Sequence, residues 1–344
     1  MKSFLCSDSV FALLISVFCG ILISCSKPEQ TCKINLIDDS NYPDCLFVPV
    51  TINGTSVRFL FDTGTSHTTM DSLLADKLGV NAVGNWIGPL LTGIDQTKIA
   101  DSTAYAKVKY VIGNFRFSGD ISLGGQKLAK MLPNNGTILG MNTIKQVYWL
   151  FDFADNTVTI SKDKIAIPAL TDDKILTLDF YLNSDSITYT DVTIDGQSFQ
   201  NILFDTGYRT ALFASDKKRD IDIIFSESDY IAYTSNLKFS AIEMKIDGKS
   251  HIFTDSMQIN NCTMRSLIAL KAYKGVTQTV ITANFIHRFR MMYIDSKNRK
   301  IQFYVSPSDS ARYQRKDIQD FIREMHKDFQ DNGQRNVNLS QFGL

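Results

Sequence analysis

The chain has 344 residues, 44% of them apolar, enough for two ordinary domains with cores of their own. Lysine plus arginine number 36, as do aspartate plus glutamate, so no net field draws in nucleic acid or an acidic membrane face. The four histidines (His67, His251, His287, His326) are scattered and make no zinc spacing with the cysteines, so neither a metal nor a cofactor is expected.

Met1-Lys2 leads into an apolar stretch from Val10 to Ile23, too short to span a bilayer but suited to an export signal. Leu22-Ile23-Ser24-Cys25 resembles the lipobox of bacterial lipoproteins, in which cleavage precedes a cysteine that is then lipidated. The resemblance implies a signal peptide at 1–24, lipid on Cys25, a tether over 25–32, and a protein on the periplasmic face of a membrane or the outer cell surface. Cys6 and Cys19 leave with the signal, so Cys32, Cys45 and Cys262 remain in an oxidising compartment where at most one disulfide forms. Cys32 and Cys45 are the nearer pair and flank a turn-rich segment, Asp38-Asp39-Ser40-Asn41-Tyr42-Pro43; sequence leaves the connectivity open.

From there the chain reads as a duplication. Val50-Thr51-Ile52-Asn53-Gly54 has the turn residues and alternation of a hairpin and is followed by Leu60-Phe61-Asp62-Thr63-Gly64. Ser72–Leu78 has helical spacing that ends at Gly79, and Tyr105–Val111 alternates as a strand. Ile138-Leu139-Gly140 and the hairpin Phe151-Asp152, with its turn at Asp155-Asn156, complete the first unit.

A joint at Ile167–Asp173 leads into the second unit, where Val192-Thr193-Ile194-Asp195-Gly196 and Leu203-Phe204-Asp205-Thr206-Gly207 recur at offsets of 142 and 143. Phe239–Ile246 reads as another strand, Ile281-Thr282-Ala283 stands opposite Ile138-Leu139-Gly140, and Ile294-Asp295 matches Phe151-Asp152. The expected fold is all-β with few helices: two small barrel-like domains, 33–165 and 166–306, related by a pseudo-two-fold axis. In the segment 307–344, Ile318, Phe321, Ile322, Met325 and Phe329 mark one face of a helical appendage that Gly333 can end.

An Asp-Thr-Gly loop is ordinary turn chemistry when it occurs once. Two copies in register are different, because an axis between the domains can bring Asp62 and Asp205 within hydrogen-bonding distance. Two carboxyls so close share a proton, and the ionised one can activate a water while the protonated one polarises a carbonyl. Amide hydrolysis then needs neither a covalent intermediate nor a metal.

On these residues the chain, up to about Tyr304, resembles the retropepsins and their bacterial relatives. The resemblance implies an aspartic endopeptidase in tandem single-chain form, monomeric with an internal pseudo-dimer, acting on peptide or protein substrate with Asp62 and Asp205 as catalytic residues. It further implies that Thr63 and Thr206 tie the two loops together and that Gly64 and Gly207 give them room. Thr65 would offer a hydroxyl to Asp62, and Gly140 would pack behind the first loop. Flaps would fall at Thr92–Gln96 and, more weakly, at Tyr233–Asn236.

The second half departs from the pattern. Tyr208-Arg209 follows its triplet where Thr65-Ser66 follows the first, and Ala283 is set opposite Gly140. An inward Arg209 would favour the doubly ionised dyad; an outward one is a solvated strand residue. The competing expectation is therefore a degenerate lipoprotein that binds peptides or glycans without cutting them.

Overall fold

The computed structural model describes residues 30–39, 42, 45–85, 104–124, 136–167, 174–183, 187–208, 211–214, 217–236, 241–246, 248–272 and 276–305, with the single positions 320, 323 and 327. The export segment with Cys25, the loop Thr92–Gln96, Arg209 and the joint at 168–173 lie outside the described residues.

The first half contains β1 (Thr31–Asn35), β2 (Phe47–Ile52), β3 (Thr55–Phe61), β4 (Thr69–Asp71), α1 (Ser72–Lys77), β5 (Gly84–Asn85), β6 (Ala104–Ile112), β7 (Phe115–Gly124), β8 (Ile138–Leu139), α2 (Met141–Ile144), β9 (Tyr148–Asp152) and β10 (Thr157–Ser161). Asn53 and Gly54 adopt φ of 48° and 81°, the left-handed pair that a two-residue turn between β2 and β3 demands. The sheet runs β2-β3-β8-β4-β7-β6-β5, and pairing of Thr51 and Ile52 with Val111 and Tyr110 curls it shut. Helix α1 begins where the Asp71 carboxylate accepts from the amides of Leu73 and Leu74, and it gives out at Leu78 before Gly79 at φ 68°.

The second half repeats the plan with β11 (Lys174–Leu182), β12 (Thr188–Ile194), β13 (Gln197–Phe204), β14 (Ala211–Ala214), β15 (Lys217–Asp220), β16 (Ile223–Phe225), α3 (Glu227–Ser235), β17 (Ala241–Ile246), β18 (Lys249–Ile259), β19 (Cys262–Lys271), β20 (Val280–Ile281), α4 (Ala283–Ile286), β21 (Met291–Asp295) and β22 (Lys300–Val305). Asp195 and Gly196, at φ 51° and 87°, reproduce the first turn, and Ile194 pairs with Ile259 as Ile52 does with Tyr110.

The two barrel-like halves are joined along one face. Their terminal strands merge into one antiparallel run, β1-β10-β9-β21-β22-β11, that floors both. Leu150 of β9 faces Tyr293 of β21. These two residues stand 143 positions apart, the same spacing as Thr63 and Thr206, so the pseudo-two-fold axis passes through that pair. Because β1 starts at Thr31, the end of the segment expected as a tether already belongs to the sheet.

Three expectations need correction or completion. Cys32 and Cys45 are thiols rather than the expected disulfide: Cys32 sits in β1 opposite Ile160, with its sulfur turned onto Gly113. The Tyr233–Asn236 region is no flap but the end of α3, capped by Ser226 accepting from the Asp229 amide and held by Tyr233 stacking on Phe225 at 5.1 Å. Of the C-terminal appendage, positions 320, 323 and 327 are described and all are helical.

Candidate active site

Each aspartate loop rests on an aromatic base. Phe61, fully buried, meets Trp149 and Phe151 edge-on at 5.0 and 4.8 Å, while Phe204 packs on Phe303 at 6.0 Å. Behind each loop lies a parallel partner: Asp62 N donates to Leu139 O of β8 at 3.1 Å, and Asp205 N donates to Ile281 O of β20 at 3.1 Å.

The loops are then laced together across the axis. Thr63 Oγ1 donates to Phe204 O at 2.6 Å and accepts from Thr206 N at 3.1 Å. Reciprocally, Thr206 Oγ1 donates to Phe61 O at 2.8 Å and accepts from Thr63 N at 3.1 Å. Both threonines are buried, so these four bonds act out of reach of water.

Such lacing sets the aspartates face to face. A Cβ added to Gly64 would overlap the carboxyl of Asp205, and one added to Gly207 would overlap the carboxyl of Asp62. Each glycine is thus the space into which the opposite carboxyl fits. Gly64, Thr65, Gly207 and Tyr208 are partly exposed, as is Asp205.

The two carboxyls differ in their support. Asp62 accepts from Gly64 N at 2.8 Å and from the Thr65 hydroxyl at 2.7 Å. Asp205 accepts from Gly207 N and Tyr208 N at 2.9 and 2.8 Å, and Tyr208 supplies no short hydroxyl. Burial pushes the Asp62 carboxyl up, opposed by the Thr65 hydroxyl, the Asp205 hydrogen bond and the loop amides. Burial and then the charge of Asp62 drive the Asp205 carboxyl well above the usual carboxylate range.

Residues 48–143 match the family model described as aspartyl protease. That span runs from β2 through the Asp62 loop to α2; the Asp205 loop lies beyond it. Among solved structures, conglutin gamma, a basic 7S globulin from lupine seeds, aligns at a TM-score of 0.49 with 10% identity, covering 83% of this chain and 97% of its own. Soybean basic 7S globulin aligns at 0.49 with 8% identity, covering 80% and 96%. Comparison with curated proteins gives no match.

Behind the first loop, Gly140 is forced by space: a Cβ there would stand 2.5 Å from the carbonyl carbon of His67. Its amide donates to the Thr68 hydroxyl, which joins a buried set with Asn142, Thr143 and Tyr110. The next residue, Met141, donates its amide to Thr65 O at 2.8 Å.

The second loop is braced by other residues, and strand register corrects the sequence match. Ile138 pairs with Leu60 and Val280 with Leu203, so Thr282, not Ala283, stands where Gly140 does; both are the caps preceding their short helices. There the second half carries a fully buried side chain in place of the glycine. Its hydroxyl donates to Ile221 O at 2.7 Å, and its amide to Asp222 O at 3.1 Å. Ala283 N then donates to Tyr208 O at 2.9 Å, as Met141 does to Thr65.

Asp222 is held in turn by Arg288 through Nε at 2.5 Å and Nη2 at 2.8 Å, with Ile268 N also donating to the carboxylate at 2.9 Å. Two further guanidinium N–H groups donate to Arg265 O and Ser266 O, both at 2.9 Å, so the buried charge is hydrogen-bonded as well as paired. Neither Asp222 nor Arg288 stands out in the sequence; an arginine between Phe285-Ile286 and Phe289 in an apolar run is the one weak signal.

Proposed function

We infer that the chain is a single-chain aspartic endopeptidase of the retropepsin type that hydrolyses peptide bonds of exported proteins or peptides. The mutual fit of each carboxyl into the opposite glycine is the observation that carries this reading. Asp62, whose charge the Thr65 hydroxyl and two amides favour, takes a proton from a water while that water's oxygen bonds to the scissile carbonyl carbon. Asp205 gives its proton to the carbonyl oxygen, and the resulting diol collapses as a proton passes to the amine and the C–N bond breaks. Lipid on Cys25 would hold the enzyme at a membrane surface, and both aspartates in one chain remove the need to dimerise.

The test is incubation of the purified protein with a diverse peptide library from acidic to neutral pH, reading new termini by mass spectrometry. Cleavage blocked by a statine-type peptide analogue and lost in Asp62→Asn supports the reading; an undiminished Asp62→Asn rate sinks it. Tyr208 in the place of Thr65 favours a second reading, a receptor that binds extended peptides without cutting them. Peptide binding with no new termini at any pH would select it.

A further inference from the structure

The six-stranded floor has a second face that the aspartate loops do not use. In β9, Trp149 and Phe151 turn toward Phe61 beneath the Asp62 loop, so Leu150 and Asp152, which alternate with them, face the opposite way. Register carries this outer face across the sheet: Lys33 stands opposite Thr159 and Thr159 opposite Leu150, while Thr157 and Met291 flank Asp152. After β10 the chain doubles back over these strands, and Ile165 joins an apolar cluster with Leu150, Met291 and Tyr293. A groove of about 440 Å³ lies on this face, lined by Lys33 of β1, Thr159 and Asp152 of the sheet, and Lys164 and Ile165 of the returning segment.

The groove combines cations, an anion and apolar surface. Lys33 reaches Asp155 at 3.4 Å, but both side chains are more than half exposed, so that pair is weak and the ammonium remains available to an anion. Lys164 is exposed and makes no ion pair with a described residue. Asp152 accepts from the amides of Ala154 and Asp155 through Oδ1 alone, which leaves Oδ2 for a donor. Leu150, Ile165 and Met291 give the groove an apolar bed. A simple anion would meet the Asp152 charge as well as the two ammonium groups, whereas a zwitterion with an apolar body answers all three features. β1 and β9 lie about 10 Å apart on either side of β10, a gap that an inward-reaching lysine and a phosphoethanolamine group close together.

We propose that this groove is a membrane-docking site that holds the phosphoethanolamine headgroup of a phospholipid, with the phosphate toward Lys33 and Lys164 and the ammonium toward Asp152. Thr31, which also lines the groove, is six residues from Cys25, a span of at most about 20 Å, so lipid on Cys25 would bring this face to the bilayer. Docking there turns the aspartate pair away from the membrane, toward exported substrate. A short peptide is also a zwitterion with apolar side chains, but the entry of the tether beside the groove favours the lipid. The placement at a membrane rests on the lipid-anchor reading; recognition of the headgroup does not.

The experiment uses the chain from position 25 with Cys25→Ser, which carries no lipid and keeps every described residue. Flotation with vesicles of phosphatidylcholine, alone or mixed equally with phosphatidylethanolamine, measures binding. The unsubstituted groove should bind the mixed vesicles at least about tenfold more tightly, because a quaternary ammonium offers Asp152 no N–H. Lys33→Glu/Lys164→Glu should lose this binding. Asp152→Asn, which keeps the oxygen that holds the turn, should lose the preference between the two vesicles. Lys107→Glu/Lys109→Glu, the same charge change on exposed positions of β6, should alter neither. Soluble glycerophosphoethanolamine should compete with the mixed vesicles where inorganic phosphate does not. Equal competition by phosphate, displacement by a leucine dipeptide, or equal retention of the Lys33→Glu/Lys164→Glu variant overturns the proposal. Headgroup-selective binding, together with an exported full chain that mass spectrometry finds without lipid on Cys25, would uphold the groove and sink the tether.

Discussion

Removing the Thr206 hydroxyl offers a quantitative test of how the dyad is held. In Thr206→Val the shape is nearly kept, but Phe61 O loses the donor at 2.8 Å and Thr63 N loses the acceptor at 3.1 Å. Thr206 has no exposed surface and Thr63 only 1%, so water cannot replace what is lost. Each orphaned buried group costs about 1–3 kcal/mol, giving a total of about 2–6 kcal/mol. Thr206→Ser keeps the hydroxyl and should lose only the methyl's packing, about 1 kcal/mol. Urea unfolding followed by fluorescence and by circular dichroism measures both midpoints, and cleavage of a standard peptide measures the dyad. The valine variant should unfold at clearly lower urea and cut at least about tenfold more slowly, a loss of about 1.4 kcal/mol in transition-state stabilisation. If valine and serine variants share one midpoint and one rate, the cross-axis hydrogen bonds do not hold the dyad and the reasoning fails.

Other predictions follow from the same geometry. Gly207→Ala should abolish cleavage while leaving far-UV dichroism unchanged, because the added methyl occupies the Asp62 carboxyl site; a wild-type rate would contradict that fit. Asp205 is raised in the folded state by burial and by Asp62, so its protonated form stabilises the fold in acid and that stabilisation is lost as pH rises through the raised value. Asp205→Asn should therefore raise the melting temperature near neutral pH and leave it unchanged in acid, and the opposite dependence in a pH series of thermal melts would refute the assignment. Arg288→Met leaves the Asp222 carboxylate buried and unpaired and should cost about 3–5 kcal/mol, whereas Arg288→Met with Asp222→Leu should recover most of it. Equal destabilisation of single and double variants by urea unfolding would show that the pair is not coupled.

The centre of the site was legible because its chemistry is local. Phe-Asp-Thr-Gly occurs twice, the Asn53-Gly54 and Asp195-Gly196 turns fix the hairpin before each copy, and the threonines fall on the axis once the loops are in register. What supports Asp205 was misread for a physical reason. A constant spacing of 143 was carried downstream, but the second half is one residue shorter between its aspartate and its brace, which leaves Thr282 only 142 positions after Gly140. The one-residue slip exchanged Thr282 for Ala283 and made a rebuilt brace look like a lost glycine.

The ion pair that completes that brace joins residues 66 positions apart, a separation that no local pattern encodes. The flap placed at Tyr233–Asn236 failed on a cue present in the sequence, Ser226 three residues before Asp229 ahead of Tyr230 and Tyr233, which is a helix start. The Cys32–Cys45 pairing failed because closeness in sequence says nothing about direction: β1 turns the Cys32 sulfur toward Gly113.

The central claim is that the second half, though braced by different residues, supplies a working member of the dyad. Asp205→Asn in the purified chain, assayed against the best peptide from the library alongside wild type, tests it most directly. The account predicts complete loss of cleavage with the fold and peptide binding retained; cleavage at the wild-type rate would show that Asp205 takes no part in the chemistry.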